Sequence, residues 1–449
     1  MTTLAPVRDP RTGRVISEVP LLPTDGVPAV ARRAAAAFPA WSRTPVANRA
    51  DLVAGIARVL AERVPDLVSA FSRETGKTHA EAEAELHRSV DTLRWTAGAA
   101  ADALGPVTLP DRDGLDRVVT AEPAGPALAI VPSNFPAVVL ARKLGPALAM
   151  GCSVVVKGPE TTPSVIRAFA AAARDAGLPE DVLQTVFTTP EGTAALVRQP
   201  EFRTISFTGS TRTGRLVAAE AAVTLAQCVL ELGGHAPAII TEHADLELAV
   251  AALVPMKFNT AGQSCSAPSR FLVHESIHDA FVTCLKAAVP RLDCAGGTMG
   301  PLHTPDRQKA VHQLVQDALT RGATVVTGGE PPDVPGYYFP ATILTDVPPD
   351  AAVLTEEPFG PLAPVISYRT EAEAIALANA TPYALGAFVY GSPGLAAHLN
   401  AGRVSVNCAS GADPESPLGG RADSGHGYEG GTQGMHAYTR LKVTLTPGS

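Results

Sequence analysis

Long apolar runs, paired cysteines and an excess of positive charge are all missing from this chain of 449 residues. No run approaches the roughly 18 apolar residues of a membrane span, and the opening MTTLAPVRDPRTGR lacks the apolar core of a secretory signal. The net charge of −8 gives no reason to expect nucleic acid or an anionic membrane as a partner. We therefore expect a protein of the cytoplasm.

The six cysteines are scattered, and no two of them form a Cys-x-x-Cys pair. This pattern favours reduced thiols over a disulfide framework or a zinc site, so we expect no bound metal. Hydrophobic residues make up 46% of the chain and charged residues 18%, which is typical of a globular protein. Because the chain is too long for one ordinary core, we predict two or more domains.

The order of predicted elements favours an α/β fold. Residues 27–103 have apolar side chains at helical spacing. From residue 127 onward, short apolar runs alternate with helical segments, which predicts a largely parallel sheet covered on both faces. A second series of this kind begins near Ser269 and contains strands near FLVH, TVVTG, APVISY, GAFVYG and VSVN. No internal repeat is visible.

Polar residues follow two predicted strands of the first series. The run ALAIV leads into Asn134, whose amide is either a simple turn residue or a donor for a developing oxyanion. The next strand ends at Lys157 and Glu160, which form either a solvated loop or a ribose-binding site at the sheet edge. In the second case Glu160 favours NAD, because its carboxylate would repel the 2′-phosphate of NADP.

A glycine turn between a predicted strand and a predicted helix contains Gly209 and Ser210. Gly209 and Gly214 stand five apart, so the segment ISFTGSTRTGR does not match G-x-G-x-x-G. Ser210 is a candidate helix cap, and a capped helix N-terminus is also a site for a phosphate.

Glu231 stands just before Gly233 and Gly234, at the start of a predicted apolar strand. Enclosure by apolar neighbours would raise its pKa toward the range of a general base. The alternative is an ordinary carboxylate at a sheet edge in water.

Cys265 lies in NTAGQSCSAPSR, with small or polar residues on both sides. A structural cysteine is usually surrounded by apolar side chains. The small neighbours leave space for a substrate to approach the sulfur, which makes Cys265 a candidate nucleophile.

The segment His274-Glu275-Ser276-Ile277-His278 matches the HExxH pattern of zinc proteases. That chemistry needs both histidines on one helix face. Here FLVH reads as a strand and Ser276 as the N-cap of a helix, so the two histidines are expected on different elements.

Together these segments resemble the aldehyde dehydrogenase superfamily, from about Pro23 to Lys442. The motifs occur in the family's order: VPSNFP, VVKGPE, FTGST, LELGG, GQSCSAPSR and EEPFGPLAPV. The Arg142-Lys143 pair is similar to the succinate-semialdehyde branch, and Arg142 is either a clamp for a substrate carboxylate or a charge on a helix surface. Asn259 and Ala267 stand where that branch tends to carry Arg and Cys, which does not favour a dicarboxylic semialdehyde.

The resemblance implies a role for each site residue. Cys265 is the nucleophile, Asn134 and the Cys265 backbone N–H form an oxyanion hole, Glu231 is the base, and Lys143 supports the site from behind. Phe135 joins Arg142 on the substrate side. The residues implied in cofactor binding are Pro132, Lys157, Glu160, Gly209, Ser210, Gly233, Glu357 and Phe359. The cofactor is NAD, with NADP as the alternative.

Some positions differ from the family pattern without removing a group that the chemistry requires. Ser133 stands where the family often has Trp, and Gly158-Pro159 replace the usual pair after the lysine. Leu418 replaces the Phe of PFGG, and Ala422 replaces a Lys shortly after it.

The implied fold has two Rossmann-like doubly wound domains and a small β oligomerisation flap. The NAD-binding domain comprises residues 1–105 and 125–233, the catalytic domain 234–431, and the flap 106–124 and 432–449. The flap predicts a homodimer or a homotetramer, because an exposed strand edge suits sheet continuation between subunits.

The implied activity is NAD(P)-dependent oxidation of an aldehyde to a carboxylic acid, through a cysteine thiohemiacetal and a thioester. Glu231 would activate the water that hydrolyses the thioester. Two alternatives stay open at this point: an acylating enzyme that passes the thioester to coenzyme A, and a catalytically silent protein on the same fold. The acylating enzymes generally lack the base.

Overall fold

The structure is a computed structural model that describes residues 3–289, 297–409 and 413–447. Its strands in chain order are β1 Leu4–Arg8, β2 Val15–Pro20, β3 Val107–Arg112, β4 Leu115–Pro123, β5 Ala127–Ile130, β6 Val154–Lys157, β7 Leu183–Val186, β8 Thr204–Thr208, β9 Gln227–Glu231, β10 Ala236–Ile240, β11 Pro268–His274, β12 Thr324–Thr327, β13 Thr342–Thr345, β14 Leu362–Tyr368, β15 Tyr383–Ala384, β16 Gly386–Tyr390, β17 Arg403–Val406, β18 Arg421–Ala422, β19 Gly425–His426 and β20 Thr439–Pro447. Its helices are α1 Val27–Ser42, α2 Val46–Thr75, α3 His79–Ala103, α4 Pro136–Ala149, α5 Pro163–Asp175, α6 Pro190–Val197, α7 Thr211–Ala222, α8 Leu246–Phe258, α9 His278–Ala288, α10 Pro305–Thr320, α11 Ala352–Thr355, α12 Glu371–Ala378 and α13 Gly431–His436.

The first large sheet has the strand order β19-β9-β8-β5-β6-β7, in which only β19 is antiparallel to its neighbour. Its central strands β5 and β6 read ALAI and VVVK and are buried almost throughout, as expected for parallel strands covered on both faces. Helices α2 to α5 share a hydrophobic core with one face of this sheet. Helices α1, α6 and α7 share a second core with the other face, so the sheet is doubly wound.

The second large sheet has the order β12-β13-β14-β11-β10-β16-β17, with β12 antiparallel to β13 and the other neighbours parallel. Helices α8 to α10 pack on one face and α12 on the other. The predicted α/β class with two parallel-sheet units is therefore confirmed. Strands β9 and β13 were missed in the sequence-based reading, which placed Glu231 at the start of a strand instead of at the end of β9.

A three-stranded antiparallel sheet with the order β20-β4-β3 stands apart from the two large sheets. Its outer strand β20 exposes Leu441, Val443 and Leu445, by 75%, 52% and 56%. This sheet lies in the two segments that were predicted to form the flap, of which residues 448–449 are outside the described part. The exact domain limits stay a prediction, and β19 adds residues 425–426 to the first sheet.

Within the described ranges, the helices are too short or too polar to cross a bilayer. The cysteines that the structure describes, Cys152, Cys228, Cys265, Cys284 and Cys408, are free thiols, and Cys294 lies outside those ranges.

Candidate active site

One large cavity, with a volume of about 890 Å³, follows the carboxyl edge of the first sheet and reaches loops and helix α10 of the second α/β unit. This edge is where open α/β sheets bind their ligands, and the volume suits a cofactor together with a small substrate. All eight residues predicted to bind the cofactor line the cavity, and so do Asn134 and Cys265. Glu231, Lys143, Arg142 and Phe135 are not among the lining residues. The first three are buried, and Phe135 is partly exposed.

Cys265 is partly exposed and follows a sharp turn of the backbone. Residues 260–262 all have positive φ angles, of 54°, 52° and 72°. The backbone of Cys265 packs closely against Gly234. A residue with a side chain would not fit at position 234, because its Cβ would lie 2.0 Å from the Cys265 carbonyl oxygen. Burial raises the pKa of the Cys265 thiol to about 12, and the charges of Glu357 and Glu231 act in the same direction. The thiol is therefore protonated at neutral pH until a base or a cation assists it.

Asn134 lies in the loop between β5 and α4 and faces the nucleophile segment. Its side-chain Nδ2 donates a hydrogen bond to the carbonyl oxygen of Gln263, at 3.0 Å. An amide NH₂ group carries two donors, so this bond fixes the orientation of the amide and leaves one N–H for a ligand. The turn role and the donor role of Asn134 are compatible here.

Glu231 is the last residue of β9, and its side chain is only 3% exposed. Its Oε1 has no hydrogen-bond partner within the described residues. Burial raises its pKa well above the ordinary value, and the negative charge of Glu429 adds to the effect, while Lys143 and Arg142 oppose it. The alternative of a carboxylate in water is therefore wrong. A buried carboxyl group with a raised pKa is suited to general-base chemistry near neutral pH.

Lys143 is fully buried behind Glu231. Its Nζ lies 2.5 Å from Glu429 Oε1 and donates to Ser206 Oγ at 2.7 Å. Glu429 was not identified from the sequence, although it lies in the glycine-flanked GYEGG segment. A carboxylate just before a pair of glycines was the signal used for Glu231, and Glu429 likewise precedes Gly430 and Gly431.

Arg142 is 8% exposed, so it is not a helix-surface charge. Burial lowers the pKa of its guanidinium, and the charges of Glu429, Glu231 and Cys265 oppose that shift. The positive charge of Arg142 thus acts on the nucleophile Cys265 and on the two buried carboxylates, Glu231 and Glu429. Phe135 lies at the N-cap of α4, and its ring centroid is 3.8 Å from Nζ of Lys77.

The cofactor end of the cavity is bordered by a lysine–glutamate pair and by a helix N-terminus. Lys157 Nζ lies 2.6 Å from Glu160 Oε1. Ser210 caps α7, since its hydroxyl accepts from the Thr213 N–H, and the first turn of a helix binds anions. At the other end Glu357 Oε1 accepts from the Gly234 N–H at 3.0 Å, and burial raises the pKa of this carboxyl.

Two details of this wall fit a nucleotide that lies against the backbone. A Cβ at Gly233 would lie 2.7 Å from Glu357 Oε2, so a larger residue would crowd the wall. Phe359 has a φ of 42°, and its ring is 5.5 Å from the Arg307 guanidinium. Pro132 and Gly209 complete the lining. The residues therefore fit NAD(P), with a carboxylate for a ribose, a helix N-terminus for phosphates and apolar walls for the rings.

The two histidines of the HExxH match lie on different elements, as predicted. His274 ends β11, and His278 begins α9. His274 Nδ1 is 2.8 Å from Ser276 Oγ. In the described ranges, His, Cys, Asp and Glu side chains form no group of three or more that could hold a metal ion.

Comparison with known proteins shows the family of this chain. Residues 2–444 match the model of the aldehyde dehydrogenase family. Glutarate-semialdehyde dehydrogenase of Pseudomonas aeruginosa is 36% identical over 98% of this chain and 94% of the relative. A 4-(hydroxymethyl)benzenesulfonate dehydrogenase of Comamonas testosteroni is 38% identical over 97% of this chain and 93% of the relative.

A solved structure gives the same result. The crystal structure of succinate-semialdehyde dehydrogenase from Burkholderia pseudomallei has a TM-score of 0.97 and 36% identity, and the match covers 99% of this chain and 95% of that one. The resemblance read from the motifs is confirmed. The chain belongs to the aldehyde dehydrogenase family, and it is an NAD(P)-dependent oxidoreductase that converts an aldehyde to a carboxylic acid.

Proposed function

We propose that Cys265 is the nucleophile of this oxidation. The observation that carries the proposal is that Cys265 and Asn134 line the same cavity as every predicted cofactor residue. In addition, the buried carboxylate of Glu231 is close enough for its charge to raise the pKa of the Cys265 thiol. The Cys265 thiol transfers its proton to a water molecule, and the sulfur bonds to the aldehyde carbon. The carbonyl oxygen becomes an oxyanion, which accepts from the free N–H of Asn134 and from the backbone N–H of Cys265.

When bound, NAD(P)⁺ supplies the hydride acceptor. Lys157, Glu160 and Ser210 would hold the adenosine side of the cofactor, and Glu357 would hold the nicotinamide side. The protein contributes position to this step. Loss of a hydride from the former aldehyde carbon leaves a thioester on the Cys265 sulfur.

Glu231 then takes a proton from the water that attacks the thioester. Its raised pKa makes the carboxylate basic enough for this task. Lys143 and Glu429 lie behind it, and their opposite charges tune that pKa in opposite directions. Hydrolysis releases the acid and returns Cys265 as a thiol.

The presence of Glu231 argues against the acylating alternative, since transfer to coenzyme A requires no activated water. Absorbance of reduced nicotinamide, measured with a panel of aldehydes with and without coenzyme A, tests both alternatives. We expect turnover that does not depend on coenzyme A, and Cys265→Ala should abolish it while NAD binding persists. No signal with any aldehyde and either nicotinamide would support the silent protein.

The cofactor preference is assigned to NAD. Glu160 lines the cavity beside Lys157, and a carboxylate at this position binds ribose hydroxyls and repels a 2′-phosphate. The positive charge of Lys157 partly offsets that repulsion. We therefore expect the protein to bind both cofactors, and to bind NAD more tightly than NADP.

The substrate is assigned to the aldehydes that carry a second, anionic group. This assignment departs from the sequence-based expectation, in which Asn259 and Ala267 did not favour a dicarboxylic semialdehyde. Two relatives are named for a semialdehyde of a dicarboxylic acid and for a sulfonate. Arg142 supplies a buried positive charge that acts on the Cys265 thiol. Arg142→Met should lower kcat/KM for glutarate semialdehyde about tenfold or more, relative to an uncharged aldehyde of equal length. Equal losses for both aldehydes would contradict this assignment.

The three-stranded sheet is assigned to assembly with a second copy of the chain. Strand β20 is an outer strand with unpaired backbone groups along one edge, and three of its apolar side chains are exposed. Light scattering should give the mass of a dimer or a tetramer, and a monomer would contradict the proposal. The expected cytoplasmic location stays a prediction, which cell fractionation would test.

A further inference from the structure

A cluster of four polar side chains, three of them buried, lies between the segment of Asn134 and the segment of Cys265. We call it the Lys77 cluster, and its members are Lys77, Glu81, Glu85 and Thr260. The side chains of Lys77 and Glu85 are both 0% exposed, and Lys77 Nζ lies 3.2 Å from Glu85 Oε2. None of these residues lines the cavity, and the reaction steps above use none of them.

On one side the cluster contacts the segment that carries the Asn134 amide. Glu85 Oε1 accepts from the backbone N–H groups of Ala137 and Val138, at 2.9 and 3.4 Å. These are first-turn N–H groups of α4, which have no partner inside their own helix. The ammonium of Lys77 faces the ring of Phe135, the residue next to Asn134. The start of α4 is thereby fixed to α3.

On the other side the cluster contacts the segment that carries the nucleophile. Lys77 Nζ donates to Thr260 Oγ1 at 2.7 Å, and Glu81 Oε1 accepts from the Thr260 N–H at 2.6 Å. Thr260 has φ 54° and ψ 37°, a conformation that a β-branched residue adopts only where its surroundings enforce it. The two contacts from α3 and its preceding loop supply that enforcement.

The two sides are joined through Gln263. Its Nε2 donates to the Thr260 carbonyl oxygen at 3.0 Å, and its own carbonyl oxygen accepts from Asn134 Nδ2 at 3.0 Å. A closed path of contacts thus runs from Lys77 through Thr260 and Gln263 to Asn134, and returns through Phe135. A shift of Thr260 would move the carbonyl group that orients the Asn134 amide.

Stability alone does not account for this cluster. Taking two charges out of water is costly, and an apolar pair of similar volume is often as stable. The carboxylate of Glu81 already has a local task, since Glu81 and Thr78 form the capping box of α3. Its further bond, to Thr260, connects that helix start to a segment about 180 residues away in the chain.

We propose that Lys77 and Thr260, held by Glu81 and Glu85, are positioning residues that fix the Asn134 amide relative to Cys265. The proposal rests on the roles given above to Asn134 and Cys265. It concerns the first chemical step, in which the oxyanion forms, and not the binding of the cofactor. Misplacement of a catalytic group by about 1 Å is enough to slow a reaction about 100-fold.

The main test compares Thr260→Val with Thr260→Ser. Valine keeps the branched shape and loses the acceptor for Lys77, whereas serine keeps the hydroxyl. The measurements are the rate of the first-turnover burst of NADH, the Kd for NADH by fluorescence, and the Tm. We expect Thr260→Val to slow the burst about 10- to 100-fold with the Kd changed less than twofold, and Thr260→Ser to recover most of the rate. A lower Tm with an unchanged burst would overturn the proposal.

Lys77→Met provides a second variant, with Glu62→Gln in the exposed Arg58–Glu62 pair as its matched control. A double-mutant cycle with Asn134→Ala then asks whether Lys77 acts through Asn134. We expect Lys77→Met to slow the burst in the wild-type background. In the Asn134→Ala background, the same substitution should lower the burst rate less than about twofold. Fully additive losses would overturn the proposal. If Lys77→Met does not fold, the Thr260 pair decides the question.

The failure of this inference can be distinguished from the failure of the proposed function. If Thr260→Val retains a normal burst but Cys265→Ala has none, the nucleophile assignment stands and only the positioning role is wrong. If Cys265→Ala retains turnover, the proposed function itself is wrong.

Discussion

Two lysine–glutamate ion pairs have nearly the same distance between Nζ and Oε1 but lie in opposite environments of this protein. Lys157 and Glu160 lie 2.6 Å apart at the mouth of the cavity, with side chains 13% and 29% exposed. Lys143 and Glu429 lie 2.5 Å apart in the interior, with side chains 0% and 4% exposed. The first pair is available to a ligand, and the second can act only on its buried neighbours.

The comparison shows that surroundings, not the contact itself, decide what such a pair does. The pair at the cavity mouth can exchange its internal contact for contacts with a ribose. The buried pair cannot exchange its contact in this way. If Lys143 and Glu429 separated, their charges would face apolar side chains instead of water. Its effect is electrostatic, and the residue that receives the effect is Glu231.

The largest expected effect comes from breaking the buried pair. Lys143→Met removes the cation in direct contact with Glu429 and leaves only the more weakly coupled Arg142, which should lower the free energy of unfolding by about 3–5 kcal/mol. Lys157→Met breaks the pair at the cavity mouth and should cost no more than about 1 kcal/mol. Urea unfolding of both variants measures the difference. Equal losses would remove the distinction between the two pairs.

A smaller effect is expected from neutralising Glu429. Its negative charge raises the pKa of Glu231, so Glu429→Gln should lower that pKa. Glu231 must be ionised to accept a proton, so hydrolysis of the thioester should reach its plateau at a lower pH, by about one pH unit. The decay of the acyl-enzyme measured across pH tests this, with Glu62→Gln as the control. A shift toward higher pH, or none, would argue against the charge coupling.

The smallest effect is expected at the cavity mouth. Glu160→Gln keeps the size of the side chain and removes the repulsion of a 2′-phosphate. The ratio of kcat/KM for NAD to that for NADP should fall about tenfold, because Lys157 is then free to attract the phosphate. The Tm should stay within a few degrees of the wild-type value. Unchanged discrimination would show that other residues select the cofactor.

Local patterns in the sequence predicted much of the framework. Helix α5 begins at Pro163, and Gly177, with a φ of 88°, follows its end. Proline at the first position and glycine after the last are both local signals of helix limits. Lys157 and Glu160 are three residues apart, so their proximity follows from one local turn. The α/β alternation and the flap segments are likewise local in origin, because each depends on side-chain periodicity over a short stretch.

The buried contacts could not be predicted in the same way. Lys143 and Glu429 are 286 residues apart, and Lys77 and Thr260 are 183 apart. Only the packing of complete domains brings them together. The left-handed backbone of Thr260 was also beyond prediction, because neither Thr nor its neighbour Ala261 favours that conformation. Strand β13 was missed because a four-residue run carries little periodicity.

The acyl-enzyme of Glu231→Gln tests the account most directly. The variant, mixed with an aldehyde and NAD, should release one equivalent of NADH and then stop, and intact-protein mass spectrometry should find one acyl group on Cys265. Steady turnover at the wild-type rate, or an acyl group on any other residue, would contradict the roles assigned to Glu231 and Cys265.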